Sequence, residues 1–127
     1  MPKKIIQTNQ APRPVGPYSQ AVQHQGLLFV SGQIPIHPES GELVLNSIED
    51  ETRQVLDNLK AVVEAAGSSL ENVLKVGIFV TDITQFDVIN QIYADYFSEA
   101  KPARALVEVS QLPKGVHVEM DAVAYVE

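Results

Sequence analysis

The sequence predicts an α+β layer fold with two helices packed on one face of a sheet. Three observations carry this: two stretches with apolar residues at helical spacing, four β-forming runs around them, and the order strands, helix, strand, helix, strands.

The first run, Leu27 to Ile36, sets Leu28, Val30 and Ile34 against Leu27 and Phe29, and Pro38-Glu39-Ser40-Gly41 supplies the turn after it. From Ile48 to Ala66, Ile48, Val55, Leu56, Leu59, Val62, Val63 and Ala66 recur at steps of three and four, which predicts an amphipathic helix. Ser47 is placed to cap it with Asp50 at the third helical position, and Gly67 to end it. Val73 to Val80 is a strand apolar on both sides, with Leu74, Val76, Ile78 and Val80 on one face and Val73, Gly77 and Phe79 on the other. A second helix runs from Phe86 to Glu99, with Thr84 as its cap and Phe86, Ile89, Ile92, Tyr93, Tyr96 and Phe97 as its stripe, all assigned to the core. Two strands close the chain, Arg104 to Ser110 and Val116 to Val126, joined by Leu112-Pro113-Lys114-Gly115. The last alternates, with Val116, Val118, Met120, Ala122, Ala124 and Val126 opposite His117, Glu119, Asp121, Val123 and Tyr125. The proline-rich stretch Ala11 to Pro17 reads as an extended loop.

A chain of 127 residues has the size of one domain, and residues 1–127 are read as such. Sixteen acidic against nine basic residues give a net charge of −7, a field that repels phosphate backbones and anionic membranes, so neither nucleic acid nor membrane is an expected partner. No apolar run has the length of a membrane span or a secretory signal, and a cytoplasmic location is the default expectation. With no cysteine there is no disulfide, thiolate nucleophile or cysteine-held metal. His24, His37 and His117 have no metal-ligand spacing, and no metal is expected. Two helices cover one sheet face while several strands are apolar on both, so self-association is expected to cover the second face, with ligand clefts between subunits.

Arg104 lies in the apolar setting Pro102-Ala103-Arg104-Ala105-Leu106-Val107, where a desolvated guanidinium calls for an anion. It grips a ligand carboxylate bidentately, pairs with an internal acid, or sits as a strand-edge arginine in water. Glu119 shares its face with His117 and Asp121, and is either a general acid/base near Arg104, should the two C-terminal strands pair, or part of a solvated face. Gly16-Pro17-Tyr18-Ser19-Gln20 and Ser31-Gly32-Gln33 have the makings of a close-fitting pocket wall and equally of ordinary turns.

Taken together, Gly16-Pro17-Tyr18-Ser19-Gln20-Ala21, Ser31-Gly32-Gln33-Ile34-Pro35, the Asn58 to Gly67 segment and Pro102-Ala103-Arg104 resemble the Rid family, also called YjgF, in its order from end to end. Val107-Glu108-Val109, Leu112-Pro113-Lys114 and Val118-Glu119-Met120 extend the match, which is nearest the RidA branch of reactive intermediate/imine deaminases. The resemblance implies a chorismate-mutase-like fold, a trimer around a central barrel and sites at the subunit interfaces. It implies hydrolysis of 2-aminoacrylate-type enamines and their imine tautomers to 2-keto acids and ammonia, with no cofactor, downstream of pyridoxal-phosphate-dependent dehydratases. Arg104 then matches the carboxylate-binding arginine and Glu119 the water-handling acid. Tyr18, Ser31, Gly32 and Asn90 match pocket positions. Leu106 stands where many members carry cysteine, so a thiol is not required at that place. Two alternatives keep the same fold: a non-enzymatic keto-acid-binding regulatory protein, and an endoribonuclease, which the acidic charge disfavours.

Overall fold

A computed structural model describes residues 2–127. Six strands form one sheet: β1 (Lys4–Ile6), β2 (Ala21–His24), β3 (Leu27–Gln33), β4 (Val73–Val80), β5 (Ala103–Glu108) and β6 (Val118–Tyr125). Their spatial order is β1-β2-β3-β6-β4-β5, antiparallel except for the parallel pair β4 and β5. The helices α1 (Ile48–Ala65) and α2 (Phe86–Phe97) pack on one face, as the hydrophobic periodicity predicts. Between them and the sheet lies the core, built from Val55, Leu56, Leu59, Val62 and Val63 of α1, Ile89 and Phe97 of α2, and Leu28, Val76, Ile78, Met120 and Ala124 of the strands.

Local signals set the boundaries of α1. The Ser47 hydroxyl accepts the Asp50 N–H at 3.0 Å, and Gly67 takes φ +83°, the left-handed conformation that lets the chain leave the helix. The start of α2 is different from expectation. Thr84 is not its cap; a 3₁₀ turn, Ile83–Gln85, precedes the helix, and the Asp82 carboxylate caps that turn by accepting the Thr84 N–H at 3.0 Å. A carboxylate is the stronger acceptor of the two candidates, and it starts the helical run two residues earlier.

Three further readings are corrected. The short strands β1 and β2 have only three and four residues, too few for an alternation to register in sequence. In β4 the alternation breaks at its start, where a shift in register between Val73 and Lys75 buries Val73 and leaves Leu74 exposed. Most consequential, the two C-terminal strands do not pair: β6 inserts between β3 and β4, and β5 lies on the sheet edge beside β4.

Two buried amides tie the loops to this frame. Gln20 donates to the carbonyls of Thr8 and Pro12 and accepts the Thr8 N–H at 2.7 Å, fixing the proline-rich loop that leads to Tyr18. Asn58 of α1 donates to the carbonyls of Ile34 and Ile36 at 3.2 and 3.0 Å, holding the chain beyond β3. Replacing Asn58 with Ala strips the Ile36 carbonyl of its amide donor, while the Ile34 carbonyl keeps the Ile36 N–H at 2.8 Å, and is expected to cost about 1–3 kcal/mol of stability, read by urea unfolding at fixed protein concentration. A loss below about 1 kcal/mol would mean that water satisfies that carbonyl equally well.

Candidate active site

Two polar clusters form, on opposite faces of the sheet. The first surrounds Arg104. It pairs in register with Val76, whose side chain enters the core, so the guanidinium projects to the helical face of β5. There its Nη1 donates to Asn90 Oδ1 at 2.7 Å, and its carbon lies 4.9 Å from the Tyr93 ring centre and 5.7 Å from that of Phe86. Phe86, Asn90 and Tyr93 follow one another at helical steps along α2, so one helix stripe supplies both the hydrogen bond and the aromatic platform. Burial pushes the Tyr93 hydroxyl up to about 12, against the opposing charge of Arg104, so the platform stays neutral. Among the described residues, no carboxylate forms an ion pair with Arg104, which removes the reading of an internal salt bridge. Leu106, next on the same side of β5, is partly buried against the core.

The second cluster lies across the sheet. Glu119 pairs in register with Phe79 and stands on the face that carries no helix. With Tyr18, Ser31 and Gly32 it lines an open cavity of about 390 Å³, whose remaining wall is Val15, Ile34 and Pro113. Here the glycine has a steric reason: a Cβ on Gly32 would overlap the Glu119 carboxylate, so the side chain occupies the space a larger residue would take. The Ser31 hydroxyl donates to the Ser19 carbonyl at 2.6 Å, and the Tyr18 hydroxyl accepts the Val15 N–H at 3.2 Å, so both polar groups are held by the loop they line. Burial raises the Glu119 carboxyl above the ordinary carboxylate range, and the charge of Asp121 raises it further.

Within one chain, therefore, Tyr18, Ser31, Gly32 and Glu119 come together, as do Arg104 and Asn90, but the two sets do not meet. His117 departs from the face expected of it. It precedes β6, and its Nδ1 lies 2.6 Å from a buried oxygen of Glu51 on α1, while its backbone N–H donates to the other oxygen at 2.8 Å. Phe86 was assigned to the core and is instead 40% exposed beside Arg104. Its place one turn before Asn90 is the signal that could have found it. No three His, Asp or Glu side chains among the described residues gather at a metal-holding distance.

Fold and site together define a class of small α+β proteins with two helices on one face of a six-stranded mixed sheet. The sequence profile of the family described as Endoribonuclease L-PSP matches residues 8–126. A RutC family protein of Pyrococcus horikoshii is 54% identical over 98% of this chain and 99% of its own. A 2-iminobutanoate/2-iminopropanoate deaminase of Dermatophagoides farinae is 43% identical over 99% and 98%. A crystal structure of a conserved Rid family protein from Yersinia pestis superposes with a TM-score of 0.96 at 50% identity, covering 98% of this chain and all of that one. The chain belongs to this family, the YjgF/Rid proteins.

The raised Glu119 carboxyl has a consequence for stability. A carboxyl held above its unfolded value favours the folded state below that value, and the favour is lost as pH rises through the folded one. Glu119→Gln removes the ionisation. Its thermal midpoint, relative to the unsubstituted protein, is expected to be higher at pH 7 than at pH 4; an equal difference at both would show that Glu119 ionises without cost.

Proposed function

We propose that this protein is a cytosolic homotrimer that hydrolyses 2-imino acids, such as 2-iminopropionate, to 2-keto acids and ammonia, in a site shared between neighbouring copies. One observation carries the shared site: Arg104 and Glu119 stand on opposite faces of the sheet, so a single chain cannot bring both to one ligand. The helix-free face adds support, because Leu27, Phe29 and Val107 are exposed there and call for a partner surface. A second copy that covers this face carries its own edge strand, and with it Arg104, toward the cavity beside Glu119. The name of the Dermatophagoides relative supports the choice of reaction.

The mechanism uses what the residues offer. Arg104, already oriented by Asn90 and stacked on neutral aromatic rings, retains guanidinium N–H donors for the substrate carboxylate. Its planar fork fixes that end of the ligand and aims C2 at the cavity. Glu119, from the neighbouring copy, takes a proton from water as the water oxygen bonds to C2 and the C=N pair moves onto nitrogen. The same carboxyl then returns the proton to nitrogen. Ammonia leaves as the C=O bond forms and the Glu119 carboxylate takes the hydroxyl proton, which it then passes to the departing ammonia, so iminium and water together give the keto acid and ammonium. Tyr18, Ser31 and Gly32 shape the wall around C2, and Leu106 bounds the side-chain end from the Arg104 side. Substrate is supplied by pyridoxal-phosphate-dependent dehydratases, whose products are such enamines. The acidic pair on β6 disfavours a polynucleotide in the same cavity.

Arg104→Ala is expected to lower kcat/KM for 2-iminopropionate at least about 100-fold, on the order of 3 kcal/mol, since positioning and charge pairing are lost together. Undiminished hydrolysis by that variant would refute the assignment. Shared sites have a sharper signature. Co-expressing Arg104→Ala and Glu119→Gln chains, each inactive alone, should restore about a quarter of the sites by random assortment in a closed trimer. A mixture as inactive as its parents would place both groups in one chain's site.

A further inference from the structure

The cavity beside Glu119 continues past its own wall. Val15, which bounds it, also lines a groove of about 560 Å³ between the proline-rich loop and the turn after Ile36. Between the two lies a narrow space of about 30 Å³, walled by Tyr18 and Gly32 on the side of the cavity and by Arg13 on the side of the groove. Lys114 joins Arg13 in the groove, while its chain neighbour Pro113 lines the Glu119 cavity. Both cations are exposed, and among the described residues neither forms an ion pair. Glu39 lines the same groove, so two positive charges gather against one negative in a chain of sixteen acids and nine bases. The backbone that carries both cations is held in place. Gln20 donates to the Pro12 carbonyl at 2.8 Å just before Arg13, and the Tyr18 hydroxyl accepts the Val15 N–H at 3.2 Å just beyond it. Lys114 takes φ +58° in the turn Pro113–Gly115, a left-handed conformation that is costly for a residue with a Cβ and persists only where its surroundings impose it.

We propose that this groove receives a second carboxylate of the substrate, so that the 2-imino acids hydrolysed here include dicarboxylic ones, with Arg13 and Lys114 as specificity-determining residues. The proposal rests on the reading of Arg104 and Glu119 as a shared imine site and names the substrate class of that site. With Arg104 on the C1 carboxylate and Glu119 at C2, the far end of the substrate is what remains to be placed, and the way past Val15 leads to the two cations. Arg13 stands where the narrow space opens on Tyr18 and Gly32, so its planar fork meets the distal carboxylate first, and Lys114 adds a point charge from the groove beyond. A substrate ending in a methyl group gains nothing from either. The charge of the whole molecule sharpens the argument. A net −7 repels a dianion, and a local pair of cations without acids of their own is the feature that draws one to this cavity rather than elsewhere on the surface.

The test compares the full-length protein with a double variant, Arg13→Gln with Lys114→Asn. Asparagine enters the left-handed region more readily than most residues, so the charge at 114 is removed without added strain. Calorimetry measures binding of 2-oxoglutarate and 2-oxobutyrate, keto acids that differ only by the second carboxylate. The parent is expected to bind 2-oxoglutarate at least about fivefold more tightly, and the double variant to lose that preference while its affinity for 2-oxobutyrate stays within about twofold. Turnover should follow: kcat/KM for 2-iminoglutarate, released in situ from glutamate by an amino-acid oxidase, falls at least about fivefold in the double variant, and that for 2-iminopropionate less than about twofold. Equal affinity of the parent for the two keto acids, or a preference that survives the double substitution, overturns the proposal. The binding arm needs no turnover, so failure of the imine reading is seen apart. A preference that depends on Arg13 and Lys114, with no imine hydrolysis by the parent, keeps the groove and discards the reaction; hydrolysis of 2-iminopropionate without the preference keeps the reaction and discards the groove.

Discussion

The insertion of β6 between β3 and β4 governs where chemistry can occur in this protein. By taking the centre of the sheet, β6 sends β5 to the edge and makes its pairing with β4 parallel. A parallel pair needs a crossover, and α2 is that crossover, returning over the same face as α1. The segment entering β5 thus comes directly off α2, and the first inward residue of β5, Arg104, meets the helix stripe it has just left. The cation–π platform and the Asn90 hydrogen bond are consequences of this topology, because residues three, four and seven positions apart on α2 are the ones a returning strand passes.

The same insertion puts Glu119 and Asp121 at the centre of the opposite face, where β3 gives up a side chain at Gly32 to seat Glu119 and β4 one at Gly77 to seat Asp121. Gly32 and Gly77 weaken β3 and β4 as strands, since glycine loses the most freedom on folding and packs nothing. That cost falls beneath two carboxylates whose own burial is unfavourable to their charged forms. Stability is thus surrendered twice at one place, a pattern expected of a site shaped for a ligand and not of a face shaped for packing.

Much of the fold was legible because its signals are local. The α1 stripe, Ser47, Gly67 and the alternation of β6 each depend on neighbours within a few residues, and the structure keeps them. What stayed hidden depends on partners far away in sequence. Strands as short as β1 and β2 exist only because β3 templates them, and the place of β6 follows from competition among strands for one neighbour. The candidate site divides the same way. Arg104 and Glu119 were individually conspicuous, one as a cation among apolar residues and one as an acid in an alternating strand. Their separation onto opposite faces required the strand order, and Phe86 looked like core because a stripe residue at a helix start is indistinguishable from one at its middle.

Opposite faces also bear on the proposed sharing of a site between copies. A face bearing Leu27, Phe29 and Val107 would favour association whatever its function, and symmetry would repeat the contact until it closed. Because Arg104 lies at the sheet edge and Glu119 at the sheet centre, a contact between the edge of one copy and the open face of the next is the arrangement that joins them without either side chain crossing a sheet. In the proposed trimer, assembly and site formation would be one event, and the apolar surface buried by association would exclude water from the ionic contact and strengthen the grip of a guanidinium that has no acid of its own.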